Sequence, residues 1–201
     1  MEKKYKLTDE VIIVNGHTLH RIQAIKEIPE ILIEAGDKGG FIEHEGNLSQ
    51  TGKAWVYSKA KVYDKARVYG EAIVFGDAQV YGQAEIYGSA WVDGSTKIFG
   101  NAKIYGHARI SKNAWIYGYA RVYDLACISG RATVFGHTRV FNNAYVSGDA
   151  QVFGNVQVYD RAKISGSAKV FGNAKVFDHA VVYDDARISG RTIVIGINPN
   201  S

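Results

Sequence analysis

The chain has one cysteine, one methionine and two prolines among 201 residues. A single thiol, Cys127, cannot close an internal disulfide, so no disulfide framework holds the fold. Near-absence of proline alongside 22 glycines excludes collagen-like and proline-rich disordered compositions, because here the glycines recur at a fixed spacing. No apolar run approaches the roughly 20 residues that cross a bilayer. Met1-Glu-Lys-Lys-Tyr-Lys6 lacks the apolar core of a signal peptide, and the expected location is cytoplasmic. The formal net charge of +4 is mild and does not by itself call for nucleic acid.

What is present is a repeat. From Lys53 to Gly196 the chain is twenty-four consecutive hexads, beginning Lys-Ala-Trp-Val-Tyr-Ser and Lys-Ala-Lys-Val-Tyr-Asp, with no inserted or deleted residue. A fixed period of this kind decides the architecture before other signals are weighed. Position four is Val or Ile throughout, from Val56 to Val194, and position two is Ala except at Thr96, Thr138, Val156 and Thr192. Two residues apart on a strand, these positions face the same way, so each strand points one small and one β-branched side chain inward. Position six is Gly sixteen times, with Asp or Asn in most other hexads, and these are the residues that tolerate positive φ. Position six is therefore a corner, and the pattern predicts a β-solenoid.

The outward residues give the number of sides. At position five, Asp93, Ser111, Ser129, Ser147 and Ser165 recur every eighteen residues. The other two columns at that spacing are aromatic, Tyr63 to Phe171 and Tyr69 to Phe177. Three hexads per turn make a triangular coil, and eight coils at the ~4.8 Å strand spacing make a prism about 38 Å long.

This alternation of Val/Ile with a small residue resembles the hexapeptide repeat of left-handed parallel β-helix proteins, a family rich in acyltransferases. The resemblance implies a left-handed coil. The stretch Gly39-Gly-Phe-Ile-Glu43, Asn47-Leu-Ser49 and Trp55-Val56, followed by bare hexads, is similar to a group of bacterial and prophage-encoded proteins of this kind, some labelled acyltransferases. The predicted fold is all-β: a left-handed parallel β-helix of about eight 18-residue coils over 53–196, an N-terminal hairpin cap over 1–52 and a short tail over 197–201.

Within the cap, Val11–Val14 and His17–Ile22 flank Asn15-Gly16, a hairpin signal with a type I′ turn. Residues 27–36 fit either a short strand or a helical turn, and Pro29 argues against a long element. Residues 36–40 read as a turn, and the segment as a whole is expected to block the open edge of the first coil. At the other end Val181, Val182, Ile193 and Ile195 lie near an exposed last coil, so self-association is expected there, or else coverage by Asn198-Pro-Asn200.

Chemistry-bearing constellations are few. The acyltransferases of this fold place a histidine in a loop between coils, and these hexads are uninterrupted. His107, His137 and His179 occupy corners, with His107 and His179 four coils apart, about 19 Å. No catalytic residue and no cofactor are assigned. His17 and His20 point to opposite faces of one strand and no convergent histidine set appears, so no metal site is expected. Gly36-Asp-Lys-Gly-Gly40 lacks the spacing of a phosphate loop.

The walls say more. On the third wall the column Arg67, Glu85, Lys103, Arg121, Arg139, Gln157, Lys175 runs beside an aromatic column. Basic groups interleaved with rings could hold nucleotides, single strands or an acidic protein surface, or the rings could simply stack between coils. The candidate binding residues are Arg67, Tyr69, Tyr87, Lys103, Tyr105, Arg121, Tyr123 and Arg139. The first wall, with Trp55, Ile73, Trp91, Cys127, Tyr145 and Val181 beside the serine column, suits subunit packing. Candidate oligomer contacts are Trp55, Ile73, Trp91, Tyr145, Val181, Ile193 and Ile195. The functional expectation is a non-catalytic binding or scaffold protein, oligomeric and acting on a macromolecule with an acidic surface, a protein before a nucleic acid. The prophage resemblance implies that the partner could be a host defence component. The alternative it implies is an acyltransferase using acetyl-CoA.

Overall fold

The structure, a computed structural model, describes residues 3–196, so the alternative that Asn198–Asn200 fold over the last coil lies outside the described residues. The chain is an all-β parallel solenoid of about nine turns with three walls. Strands follow one another around the walls, and each pairs in parallel with the strand eighteen residues on, as Trp91 with Arg109 and Lys103 with Arg121. Three parallel sheets result, and the first and third walls carry eight strands each.

The hexad explains each turn. Positions two and four are buried along the whole stack, from Ala54 and Val56 to Ala180 and Val182, so the interior is a slim column of Ala and Val/Ile. Every position six from Ser58 to Gly190 has positive φ, including Asp64, Lys112, Asp124 and Asn142. That backbone turn brings consecutive corners so close that a Cβ on Gly94 would sit 2.5 Å from the Lys112 carbonyl oxygen, which is why glycine dominates the position.

Strands of two residues contribute little alone. The ladder is completed by hydrogen bonds one coil apart, such as Trp55 N–H to Ala72 O at 3.0 Å and Tyr57 N–H to Val74 O at 2.8 Å. Each coil therefore satisfies the backbone of the previous one, and only the two ends are left to be dealt with.

The N-terminal end is closed, and the stack begins one turn earlier than Lys53. β1 (Tyr5–Val14) and β2 (His17–Ala24) form the expected hairpin, with positive φ at both Asn15 and Gly16. β3 (Lys38–Ile42) pairs antiparallel with β2 but parallel with the solenoid, Phe41 opposite Lys61 and Ile42 opposite Val62. Leu48 then bridges Val68 on the third wall. The expectation of a turn over 36–40 is thus corrected in its second half. Gly39 and Gly40 are strand residues, glycine because an added Cβ would lie 2.6 Å from the carbonyls of Val56 and Ala60. The ambiguous 27–36 segment is a 3-10 turn, Pro29–Ile31, ending at Leu32 in the left-handed region.

Buried groups fasten this cap. Lys4 is 2% exposed and donates to the carbonyl of Ala54 at 2.6 Å and of Gly52 at 3.2 Å. Burial, and secondarily Lys26, push its amine down to about 8. Tyr5 donates to Leu48 O at 2.7 Å and meets Trp55 edge-on, with ring centres 6.2 Å apart.

Among the described residues nothing covers the last coil. Val181, Tyr183, Ile193 and Ile195 are 56–59% exposed on the last coil.

Candidate functional site

Two long columns of the third wall stand side by side and behave in opposite ways. The aromatic column, Tyr69, Tyr87, Tyr105, Tyr123, Phe141, Tyr159 and Phe177, is a continuous ring stack. Its centroids are 4.8–5.0 Å apart and its planes within 9° of parallel. The second wall has the same device from Tyr63 to Phe171. The coil spacing imposes it, since like rings at like positions fall at stacking distance. Interior rings of the stack have both faces covered by neighbours and offer only their edges. Tyr87, Tyr105 and Tyr123, expected to be binding residues, therefore have no free face on which a base or a cation could sit.

The charged column is not self-satisfied. At its N-terminal end Glu85 ties three residues together. It accepts from Tyr69 Oη at 2.9 Å and from Lys103 Nζ at 3.0 Å. Burial, then this hydrogen bond, push the Tyr69 phenol up to about 12. Arg67 lies 5.4 Å from the Tyr69 ring centre. Beyond Lys103 the pattern stops. Arg121 and Arg139 are register partners on adjacent strands, and among the described residues neither side chain makes a hydrogen bond or an ion pair. Like charges directly opposite on neighbouring strands are destabilising, so the fold does not account for this pair.

The corner beside them supplies further groups. Asn101, Tyr119 and His137 occupy position one on three successive coils, and with Lys103, Arg121 and Arg139 they line a cavity of about 320 Å³. Tyr119 and His137 stack at 4.9 Å and 2°. Sequence reasoning named Lys103, Arg121 and Arg139 as binding residues and His137 as a corner residue, and it did not single out Tyr119. The signal that joins them is their eighteen-residue spacing.

The predicted oligomer contacts divide. Trp55 is fully buried against Tyr5 and Tyr57, and Ile73 is 8% exposed; the chain's own N-terminal segment takes the place assigned to a second subunit. Trp91, Tyr145, Val181, Ile193 and Ile195 are exposed. Trp91, edge-on to Phe75, borders an apolar cleft of about 400 Å³ with Ile31, Leu32 and Tyr57.

One further cluster was not foreseen. His17 donates from Nδ1 to Glu43 at 2.9 Å, and its Nε2 is 3.3 Å from Asp64. The other Glu43 oxygen accepts Asp64 N–H at 2.7 Å, and the other Asp64 oxygen accepts Gly82 N–H at 3.1 Å. His17, Glu43 and Asp64 are the one group of His and acidic donors spaced for a metal ion among the described residues. With both ring nitrogens facing carboxylates, the arrangement works as an imidazolium clamp between the hairpin and the first coils. The Glu43 hydrogen bond raises the His17 pKa. No spacing rule reveals it, because the three residues come from separate elements.

Residues 66–82 match a family model described as YdcK Beta solenoid repeat. That match agrees with the solenoid and covers one coil of it. No curated protein matches the chain. Among the described residues no helix is long and apolar enough to cross a membrane.

Proposed function

We propose that this chain is a non-catalytic binding protein, a rigid scaffold whose third wall recognises an anionic partner through Lys103, Arg121 and Arg139. The observation that carries the reading is the unpaired Arg121–Arg139 step, set against a neighbouring column whose interior rings cover one another's faces. Guanidinium groups bind carboxylate and phosphate alike through paired N–H donors, so acidic protein segments and phosphate esters share this chemistry. A strand of bases stacking along the wall fits less well, because the interior ladder rings have no free faces. Acyl transfer finds less support: among the described residues, no carboxylate is hydrogen-bonded to His107, His137 or His179 to orient it as a base.

The scaffold also self-associates in this reading. Val181, Ile193 and Ile195 expose apolar surface on two sheet edges at one end, a combination that favours pairing.

The test titrates a decaglutamate peptide and inorganic tripolyphosphate into the wild-type protein and an Arg121→Glu/Arg139→Glu variant. Binding of at least one probe that weakens with salt and is lost in the variant supports the reading. Unchanged binding in the variant would place recognition elsewhere.

A further inference from the structure

The cavity beside the arginine pair differs from the rest of the wall in one respect. Its ring pair ends within it. Tyr119 stacks on His137 through one face, but the corner residue on the other side is Asn101, which has no ring. Every interior ring of the two long ladders has an aromatic neighbour on both sides. Tyr119 does not, and it is 56% exposed. A planar group one stacking distance from Tyr119 would lie over Asn101, whose amide can both donate to and accept from the edge of a heterocycle. The same cavity is lined by Lys103, Arg121 and Arg139, three cations on consecutive strands. Its volume of about 320 Å³ falls in the range of small-ligand sites, roughly 300–1,000 Å³.

We infer that this cavity is a nucleotide site: a base stacks on Tyr119 above Asn101, and a di- or triphosphate lies across Arg121 and Arg139. The inference rests on the proposed anion-binding role of the same row and narrows it to one ligand class. Each part of such a ligand meets something the fold leaves open, an uncovered ring face for the base and two unpaired guanidinium groups for the phosphates. Lys103, shared with Glu85, contributes at the edge. His137 backs the stacked ring from the other side and lines the cavity beside Arg139.

The experiment compares adenosine triphosphate, inorganic tripolyphosphate and decaglutamate by calorimetric titration, using wild type, Tyr119→Ala and Arg121→Glu/Arg139→Glu. The expected result is that the nucleotide binds at least about tenfold more tightly than tripolyphosphate, the contribution of a stacked base. Tyr119→Ala removes that advantage and leaves tripolyphosphate binding intact, while the double charge reversal removes both. Equal affinity for nucleotide and tripolyphosphate in the wild type overturns the nucleotide site and leaves the anion row standing. Binding of decaglutamate alone does the same. If none of the three binds, the site and the broader reading both fall. Circular dichroism of each variant confirms that a lost signal is not a lost fold.

Discussion

The ring column and the charged column of the third wall are two residues apart in sequence and obey the same eighteen-residue period, yet one is closed and the other open. In the first, each residue is its neighbour's partner: Tyr105 covers Tyr87 and Tyr123 at 4.9 Å. In the second, repetition sets Arg121 against Arg139, and a like neighbour is the worst partner a charge can have. Stacking identical coils thus rewards rings and penalises charges. The same contrast separates the two ends, one sealed by the hairpin and Lys4, the other exposing Val181, Ile193 and Ile195 on strands that no other described residue covers. Where a repeat satisfies itself the surface is structural; where it fails to, a partner has room to bind.

The closed side of the comparison breaks most visibly if a ring is removed from the middle of the ladder. Tyr123→Ala loses stacking on Tyr105 and Phe141 and uncovers apolar surface, so denaturant unfolding should show a loss of about 2–4 kcal/mol. Affinity for anions should be unchanged. A weaker anion affinity with full stability would reverse the roles of the two columns.

The hairpin clamp gives a pH signature of intermediate size. His17 has its pKa raised above 6.5 through its hydrogen bond to Glu43, so its contribution is complete below pH 6.5 and disappears as pH rises through the raised value. Glu43 is lowered below 4.5 by the same bond, and its contribution fades as pH falls through that lowered value. Between about pH 4.5 and 6.5 the clamp is at full strength. Hydrogen exchange across β1 and β2 should therefore quicken from pH 6 to pH 8 after correction for intrinsic rates. His17→Gln should remove that dependence. Lys4 acts in the opposite direction at higher pH: its lowered value of about 8 means that stability rises between pH 8 and 10, and Lys4→Met should flatten that rise.

At the open end, Ile193→Lys should reduce the oligomeric mass measured by light scattering while changing unfolding of the isolated chain by no more than about 0.5 kcal/mol. A stable monomer for the wild type would contradict self-association through this coil.

The solenoid was legible because the hexad encodes it three times, in the inward Val/Ile, the small inward Ala and the positive-φ corner. The three walls were legible from the serine and aromatic columns. The first turn was missed because Ile42 and Leu48 keep the hexad spacing to each other, but Leu48 and Val56 are separated by eight residues, which hides the register. Lys4 gave no signal, since a buried lysine looks like any other basic residue near a terminus. Outward aromatics and outward arginines look equally available in a sequence. Only the register of neighbouring coils separates rings that have already found partners from charges that have not. Trp55 and Trp91 show the same limit: they share a column, and the N-terminal segment buries the first but leaves the second exposed.

The smallest expected effect is also the most direct test of the central claim that the arginine row is surplus to the fold. Urea unfolding of Arg121→Gln/Arg139→Gln beside wild type measures it. The account predicts equal stability or a gain of a few tenths of a kcal/mol, about what relieving like-charge opposition yields. A loss of about 2 kcal/mol or more would show that the row is a structural element and contradict its assignment as a binding surface.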